Sequence, residues 1–273
     1  MVINWGIESF KWKLLIRQSE KVSLGKAFQA ILGGLAVSVF TPNRVGEFVG
    51  RVFILKKTNP SKAILLTIVG NFSQLLVTIV LGSVAFVIFT SQFLSALVHK
   101  PLIINGISIL LIIISALLIL VFFNISLFKN LSVLIAGNYA EKFNSNLSAI
   151  TNCPKRLLGM VLSLSVLRYL VFSTQFCLAI KMVGLNFTVI QCMMVIPVIY
   201  LMLVAIPTMA LSEIGVRGSV SVFLFGLLSI GGTLSEPESL AVISASTLIW
   251  VLNIAIPSLA GVLVIFNLKF FRR

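Results

Sequence analysis

Four apolar stretches, at about 63–90, 102–123, 157–180 and 240–266, each run for more than twenty residues, and Arg168 is the one charge among them. A helix crosses a hydrocarbon core in about 20 residues, so each stretch is predicted to span a membrane. The rest of the chain cannot offset them with a polar coat. Of its 273 residues, 59% are hydrophobic and 10% charged, where a soluble domain carries about 25% charged residues. The expected fold is therefore an all-α integral membrane protein, a polytopic helical bundle.

The titratable inventory excludes much chemistry. There are seven Glu, no Asp and one His (His99). Aspartyl-phosphate chemistry, a Walker-type Asp, a Ser-His-Asp triad and a two-His metal site are all ruled out. No nucleophile has a base at recognisable spacing, so no catalytic residue, cofactor or metal is expected. Cys153, Cys177 and Cys192 form no CxxC pair and read as small apolar residues.

The net charge of +14 is mostly topology. Fifteen of the 21 basic residues lie in three blocks: Lys11 to Lys26 with Lys56, Lys57 and Lys62; Lys129 to Arg156; and Lys269 to Arg273. Placing these blocks in the cytoplasm satisfies the positive-inside rule at every loop. Both termini are then cytoplasmic, and His99, Lys100 and Lys181 fall on the outside. A bacterial inner membrane is the expected location, and nucleic acid is not an expected partner. Residues 124–156 alternate apolar and polar and are read as an amphipathic segment on the cytoplasmic surface.

Two segments do not fit simple spans. Within residues 24–56, apolar 24–40 and Val52 to Leu55 are interrupted by TPNRVGEFVGR (41–51), and basic residues mark both ends. Thirty residues between two cytoplasmic ends cannot cross twice, so a re-entrant hairpin is expected, its tip buried in protein or lining a cavity. Residues 187–231, interrupted from Pro207 to Arg217, look like its counterpart from outside. The pair suggests inverted repeats.

The two interruptions share a pattern. Pro42 precedes Glu47-Phe-Val-Gly-Arg51, and Pro207 precedes Glu213-Ile-Gly-Val-Arg217. Each is a helix break followed by Glu-x-x-x-Arg, the favourable order for an ion pair along a helix. Thr41-Pro42 reads as a helix start, which puts Arg44, Glu47 and Arg51 on one helical face. One charged residue at membrane depth costs about 2.5–3.5 kcal/mol on insertion scales. Arg44, Glu47, Arg51, Glu213 and Arg217 are therefore candidate substrate-binding residues, although Glu47 and Glu213 can also serve simply to neutralise a neighbouring Arg. Arg168 is a further candidate. Interhelical hydrogen bonding is the plainer reading for it, as for Asn71 and Gln74. The pair Gly46 and Gly50 is read as close helix packing.

On these residues a resemblance becomes visible. TPNRVGEFVGR, PTMALSEIGVRG and SVLRYLVFSTQF resemble three regions of the lysylphosphatidylglycerol synthase transmembrane-region family, also called flippase-like. The resemblance covers nearly the whole chain, so residues 1–273 are expected to form a single flippase-like transmembrane domain without the soluble aminoacyl-transfer domain that some members carry. It implies handling of lipids or lipid-linked glycans, including movement between leaflets. Two departures stand out. Many members have Gly-x-Arg-Glu in the second motif, where this chain has Gly218 after Arg217. The family also usually has about two more helices before the region matching 4–15, so Met1 to Leu15 is expected to be the end of such a helix in a shortened form. Glu8 and Lys11 interrupt the place where the apolar core of a signal peptide would lie.

Three functions remain in competition. One is translocation of a lipid or lipid-linked glycan with an anionic headgroup. Another is ion-coupled solute transport with Glu47 or Glu213 as a proton site. The last is a non-transporting membrane partner of a glycosyltransferase or lipid synthase. The four candidate Arg outnumber the two candidate Glu by two, which favours an anionic ligand if they share one site.

Overall fold

The computed structural model describes residues 1–41, 44–52, 54–55, 58–94, 101–124, 153–229 and 231–267. Among these, every regular element is helical. In chain order the helices are α1 (Val2–Ile16), α2 (Leu24–Ser38), α3 (Gly46–Val52), α4 (Pro60–Phe89), α5 (Pro101–Phe123), α6 (Lys155–Met182), α7 (Val189–Ala205), α8 (Ala210–Gly226), α9 (Glu236–Trp250) and α10 (Ile256–Asn267). A π-helical turn at Thr90–Leu94 extends α4, and another at Val251–Ala255 joins α9 to α10.

Among the described residues, four helical runs are long and apolar enough to cross a membrane: Pro60–Phe93, Leu102–Phe123, Lys155–Met182 and Glu236–Phe266. Their starts follow local chemistry. Asn59 accepts a hydrogen bond from the Ser61 N–H at 3.1 Å, with Pro60 at the first helical position. The Ser235 N–H donates to Glu238 at 2.9 Å in a capping box at the start of α9.

Both segments singled out as hairpins are helical hairpins. In the first, α3 folds back along α2, and α2 in turn packs on α10. The contacts are too close for side chains. A Cβ on Gly50 would lie 2.6 Å from the Gly34 Cα, and one on Gly261 would lie 2.0 Å from the Leu32 carbonyl oxygen. In the second, α7 and α8 pack together across the break at 206–209. Thr58 sits against the end of α1: the Glu20 carboxylate accepts from its N–H at 3.2 Å and its hydroxyl at 3.1 Å. Residues 20 and 58 therefore share one end of the bundle, as they must if 24–56 enters and leaves on one side.

One helix start differs from expectation. Among the described residues the α-helix after the first break begins at Gly46, so Arg44 precedes it rather than sharing its face. Thr41 still caps, but it accepts from the Gly46 N–H at 2.8 Å. Arg44 has φ 58, a left-handed conformation that a non-glycine residue adopts at a cost. That reversal lets α3 run back along α2. Pro42 itself, His99, Lys100 and most of the amphipathic segment (125–152) lie outside the described residues. The last part of that segment, Lys155 and Arg156, belongs to α6.

The core is divided. Trp5, Trp12, Ile16, Ile31, Leu66, Phe122 and Val161 belong to one apolar cluster, and Phe89, Phe176, Ile196, Ile199, Phe225 and Ile249 to another. Along α6 the two are separated by Ser165, Arg168, Tyr169 and Ser173. Arg168 is the fourteenth of the 28 residues of α6, about 20 Å from either end at helical rise. A polar layer thus lies at mid-depth of the bundle.

Candidate functional site

α1 builds the floor of this layer. Asn4, Glu8 and Lys11 recur at helical spacing on one face and are all buried. Glu8 is contacted by three cations. Arg51 Nη2 lies 3.1 Å from one carboxylate oxygen, with Lys11 Nζ at 2.8 Å and Arg168 Nη1 at 3.0 Å from the other. The contacts to that second oxygen are ion pairs rather than aligned hydrogen bonds. Arg51 also pairs with Glu47. Burying charge is tolerable only with such pairing.

Hydrogen bonds carry the layer across the bundle. Arg168 Nε donates to Asn4 Oδ1 at 2.9 Å, and Asn4 Nδ2 donates to Asn253 Oδ1 at 3.0 Å. Asn253 lies in the π-helical turn between α9 and α10 and donates to the Ile249 carbonyl at 3.0 Å. Such turns are enriched at functional sites. On the other flank, Lys11 donates to Ser165 Oγ at 3.3 Å, and Ser165 meets Ser73 on α4 at 2.7 Å. The Arg168 guanidinium also sits over the Phe172 ring at 5.1 Å and the Trp5 ring at 5.8 Å, within cation–π range.

A second cluster forms where the hairpin tips meet. Arg44 Nη2 lies 2.5 Å from Glu213 Oε2, and Arg217 Nη2 pairs with the other oxygen of the same carboxylate. Arg217 stacks over Tyr200 of α7, 5.7 Å from the ring centre. Val39 and Ile214, from the two hairpins, pack with Ala210, Trp250 and Ile254 beside this contact.

The geometry brings all six candidate residues into two neighbouring clusters. Glu47, Arg51 and Arg168 gather around Glu8, while Arg44, Glu213 and Arg217 form the junction of the tips. Arg44 lies just before α3, which carries Glu47 and Arg51, so one segment joins the two clusters. Lys11, Arg51 and Arg168 exceed Glu8 and Glu47 by one charge. Arg44 and Arg217 exceed Glu213 by one. The surplus is asymmetric in access: the Arg44 side chain is 35% exposed, whereas those of Glu8, Lys11 and Arg51 are 1% exposed. No group of three or more His, Cys or Glu fit to hold a metal ion occurs among the described residues.

With this geometry in place, comparison with known proteins decides the family. Residues 1–256 match the family model described as lysylphosphatidylglycerol synthase TM region. The chain belongs to this family. The match includes both hairpins and every charged residue of the two clusters. As a lysylphosphatidylglycerol synthase TM-region domain, the chain is an integral membrane protein of the flippase-like type, and the TM region is a non-catalytic membrane domain. No curated protein and no solved structure matches the chain.

Sequence reasoning missed Asn4, Glu8 and Lys11. Lys11 was sorted with the cytoplasmic loop bases, but it is buried against Glu8 in the polar layer, where it completes the pairing of that carboxylate. The signal was present. In VINWGIESFKWKLLI the polar residues Asn4, Glu8 and Lys11 recur at i, i+4 and i+7 in a largely apolar helix, the argument applied downstream to Glu47 and Arg51.

Proposed function

We propose that this domain binds the anionic headgroup of a phospholipid or lipid-linked glycan at the junction of its hairpin tips and moves it between leaflets. The setting is a bacterial inner membrane, with both termini in the cytoplasm. The observation that carries the reading is Arg44. It reaches across to Glu213, remains 35% exposed, and belongs to a cluster with one positive charge unbalanced. A guanidinium has five N–H donors in a fixed fork, so Arg44 keeps donors for a phosphate while holding Glu213. Phosphate oxygens suit that fork, and an anion would neutralise the surplus at membrane depth. Hairpins with broken helices meeting at mid-depth are also the arrangement by which secondary transporters hold charged substrates.

Ion coupling through Glu47 or Glu213 is less well supported. Each carboxylate contacts at least one Arg, which favours a fixed negative charge over one that takes up and releases protons. The deep pairing around Glu8 favours a different second reading, a non-transporting partner of a glycosyltransferase or synthase, because charges 1% exposed pack a fold without touching a ligand.

Reconstitution separates these readings. Proteoliposomes containing headgroup-labelled anionic phospholipid should expose inner-leaflet label to an external quencher faster than empty vesicles, and Arg44→Gln should remove the acceleration. Rates equal to those of empty vesicles, with lipid still bound, would favour the partner reading.

A further inference from the structure

Lys11 is the one cation of the Glu8 cluster whose chemistry lets it lose a proton, because a guanidinium stays charged in proteins. Its side chain is 1% exposed. Among the described residues two oxygens meet its nitrogen: Glu8 Oε2 at 2.8 Å and Ser165 Oγ at 3.3 Å. Beyond Ser165 the polarity is fixed. Ser73 donates to the Gly70 carbonyl at 2.7 Å, so in its 2.7 Å contact with Ser165 it accepts. Ser165 then spends its own proton on Ser73 and accepts from Lys11. An ammonium has three N–H groups and a neutral amine two. The two oxygens complete the neutral amine and leave the third N–H of the ammonium without an acceptor.

Charge counting agrees. Lys11, Arg51 and Arg168 exceed Glu8 and Glu47 by one, so the cluster is neutral once Lys11 gives up its proton. Three charges bear on Lys11: Glu8 on its own helix, Arg51 on α3 and Arg168 on α6. From α4 it meets Gly70, where a Cβ would lie 3.9 Å from Lys11 Cε, and Ser73 through Ser165. Lys13, two residues along α1, falls on another face. The other charges of α2, α4 and α6, namely Lys26, Lys62, Lys155, Arg156 and Lys181, sit in first or last turns. Tyr169, one turn beyond Ser165, packs against Tyr200.

We infer that Lys11 is a proton-binding site linked to the headgroup site: it takes up a proton from water when an anionic headgroup binds and returns it when the headgroup leaves. The inference rests on the headgroup reading above and adds the ion that accompanies the lipid. The link is electrostatic. Arg44 at the junction precedes α3, and Arg51 in the last turn of α3 touches Glu8. The seven residues of α3 span about 10 Å. A unit charge over that distance, at an effective dielectric constant of about 20, shifts a protonation equilibrium roughly tenfold. An anion at the junction cancels the positive surplus there, so Lys11 holds its proton more tightly. By reciprocity the headgroup binds more tightly when Lys11 is protonated. Part of the headgroup's charge is thereby neutralised as it enters.

The test is isothermal titration calorimetry of the full chain in detergent with phosphatidylmethanol, whose single negative charge does not titrate near neutrality. Runs in two buffers of different ionisation enthalpy count the protons exchanged per lipid bound. The parent chain should take up about half a proton per lipid at the pH of maximum uptake, the fraction that a tenfold linkage gives. Its affinity should fall about tenfold between about pH 6 and about pH 10. Lys11→Gln keeps two N–H groups and cannot take up a proton. Its binding should exchange less than about 0.1 proton and vary less than about twofold over that range. Uptake that survives in Lys11→Gln would overturn the inference, since the proton would then sit on another group. Proton release on binding would overturn it, as would a Lys11→Gln chain that fails to fold, because the cation would then be structural. Failure of the parent to bind at every pH would overturn the headgroup reading as well, whereas binding without proton uptake would overturn the proton site alone.

Discussion

Arg44 and Glu213 stand 169 residues apart in the chain and meet at 2.5 Å, the contact through which the tips of the two helical hairpins touch. Glu213 holds Arg217 with its other oxygen, so one carboxylate ties two cations from different hairpins. Removing either end should therefore loosen the junction, and the effects should not add. Glu213→Gln and Arg44→Gln are each expected to lower thermal stability in detergent. A double-mutant cycle should return a coupling of about 1–2 kcal/mol. Additive losses would show that the pair contributes nothing as a pair.

Glu8 is expected to be the most sensitive charge in the chain. It is the common partner of Lys11, Arg51 and Arg168, and Glu8→Gln leaves three cations facing one another at mid-depth. Breaking a buried pair from one side costs about 3–5 kcal/mol, so this variant should scarcely accumulate in folded form. Adding Arg51→Gln removes part of the repulsion and should recover some of the loss. Yield of monodisperse protein and its unfolding temperature report both outcomes.

Close backbone packing gives a prediction independent of charge. A Cβ at Gly261 would lie 2.0 Å from the Leu32 carbonyl oxygen, whereas one at Gly106 would meet nothing within 4 Å. Gly261→Ala should destabilise by about 3 kcal/mol through forced separation of α2 and α10. Gly106→Ala should stay within about 0.5 kcal/mol. Equal unfolding temperatures for the two variants would contradict the packing.

Topology can be read from outside the bundle. With the three native cysteines replaced, Gly25→Cys and Ser61→Cys should both react with a membrane-impermeant thiol reagent from the cytoplasmic face, because Glu20 holds Thr58 at the end of the bundle where α2 begins. Labelling from opposite faces would end the re-entrant reading of residues 24–56.

The spans were legible because length and apolarity alone decide them. The stretches read at 63–90, 102–123, 157–180 and 240–266 appear as helical runs at Pro60–Phe93, Leu102–Phe123, Lys155–Met182 and Glu236–Phe266. The ion pairs Glu47–Arg51 and Glu213–Arg217 were legible because spacing of four fixes a neighbour on any helix. What escaped was long-range. Nothing local to Arg168 says that its partners are Asn4 and Glu8, more than 150 residues earlier. Nothing in TPNRVGEF says that the chain reverses at Arg44 before the helix starts, since that reversal is set by how closely Gly34 and Gly50 bring two backbones together.

The contacts of α2 also carry a mechanical consequence. Rotamers usually cushion one helix against another, but α2 meets α3 through Gly34 and Gly50, and α10 through Gly261 and Leu32, with almost no side chain between. Such joints have little compliance. The fifteen residues of α2 make a rod about 22 Å long, and a tilt of about 5° imposed at its base carries its far end about 2 Å. That displacement is several times the roughly 0.5 Å range of a hydrogen bond, enough to engage or part the guanidinium of Arg44 and the carboxylate of Glu213.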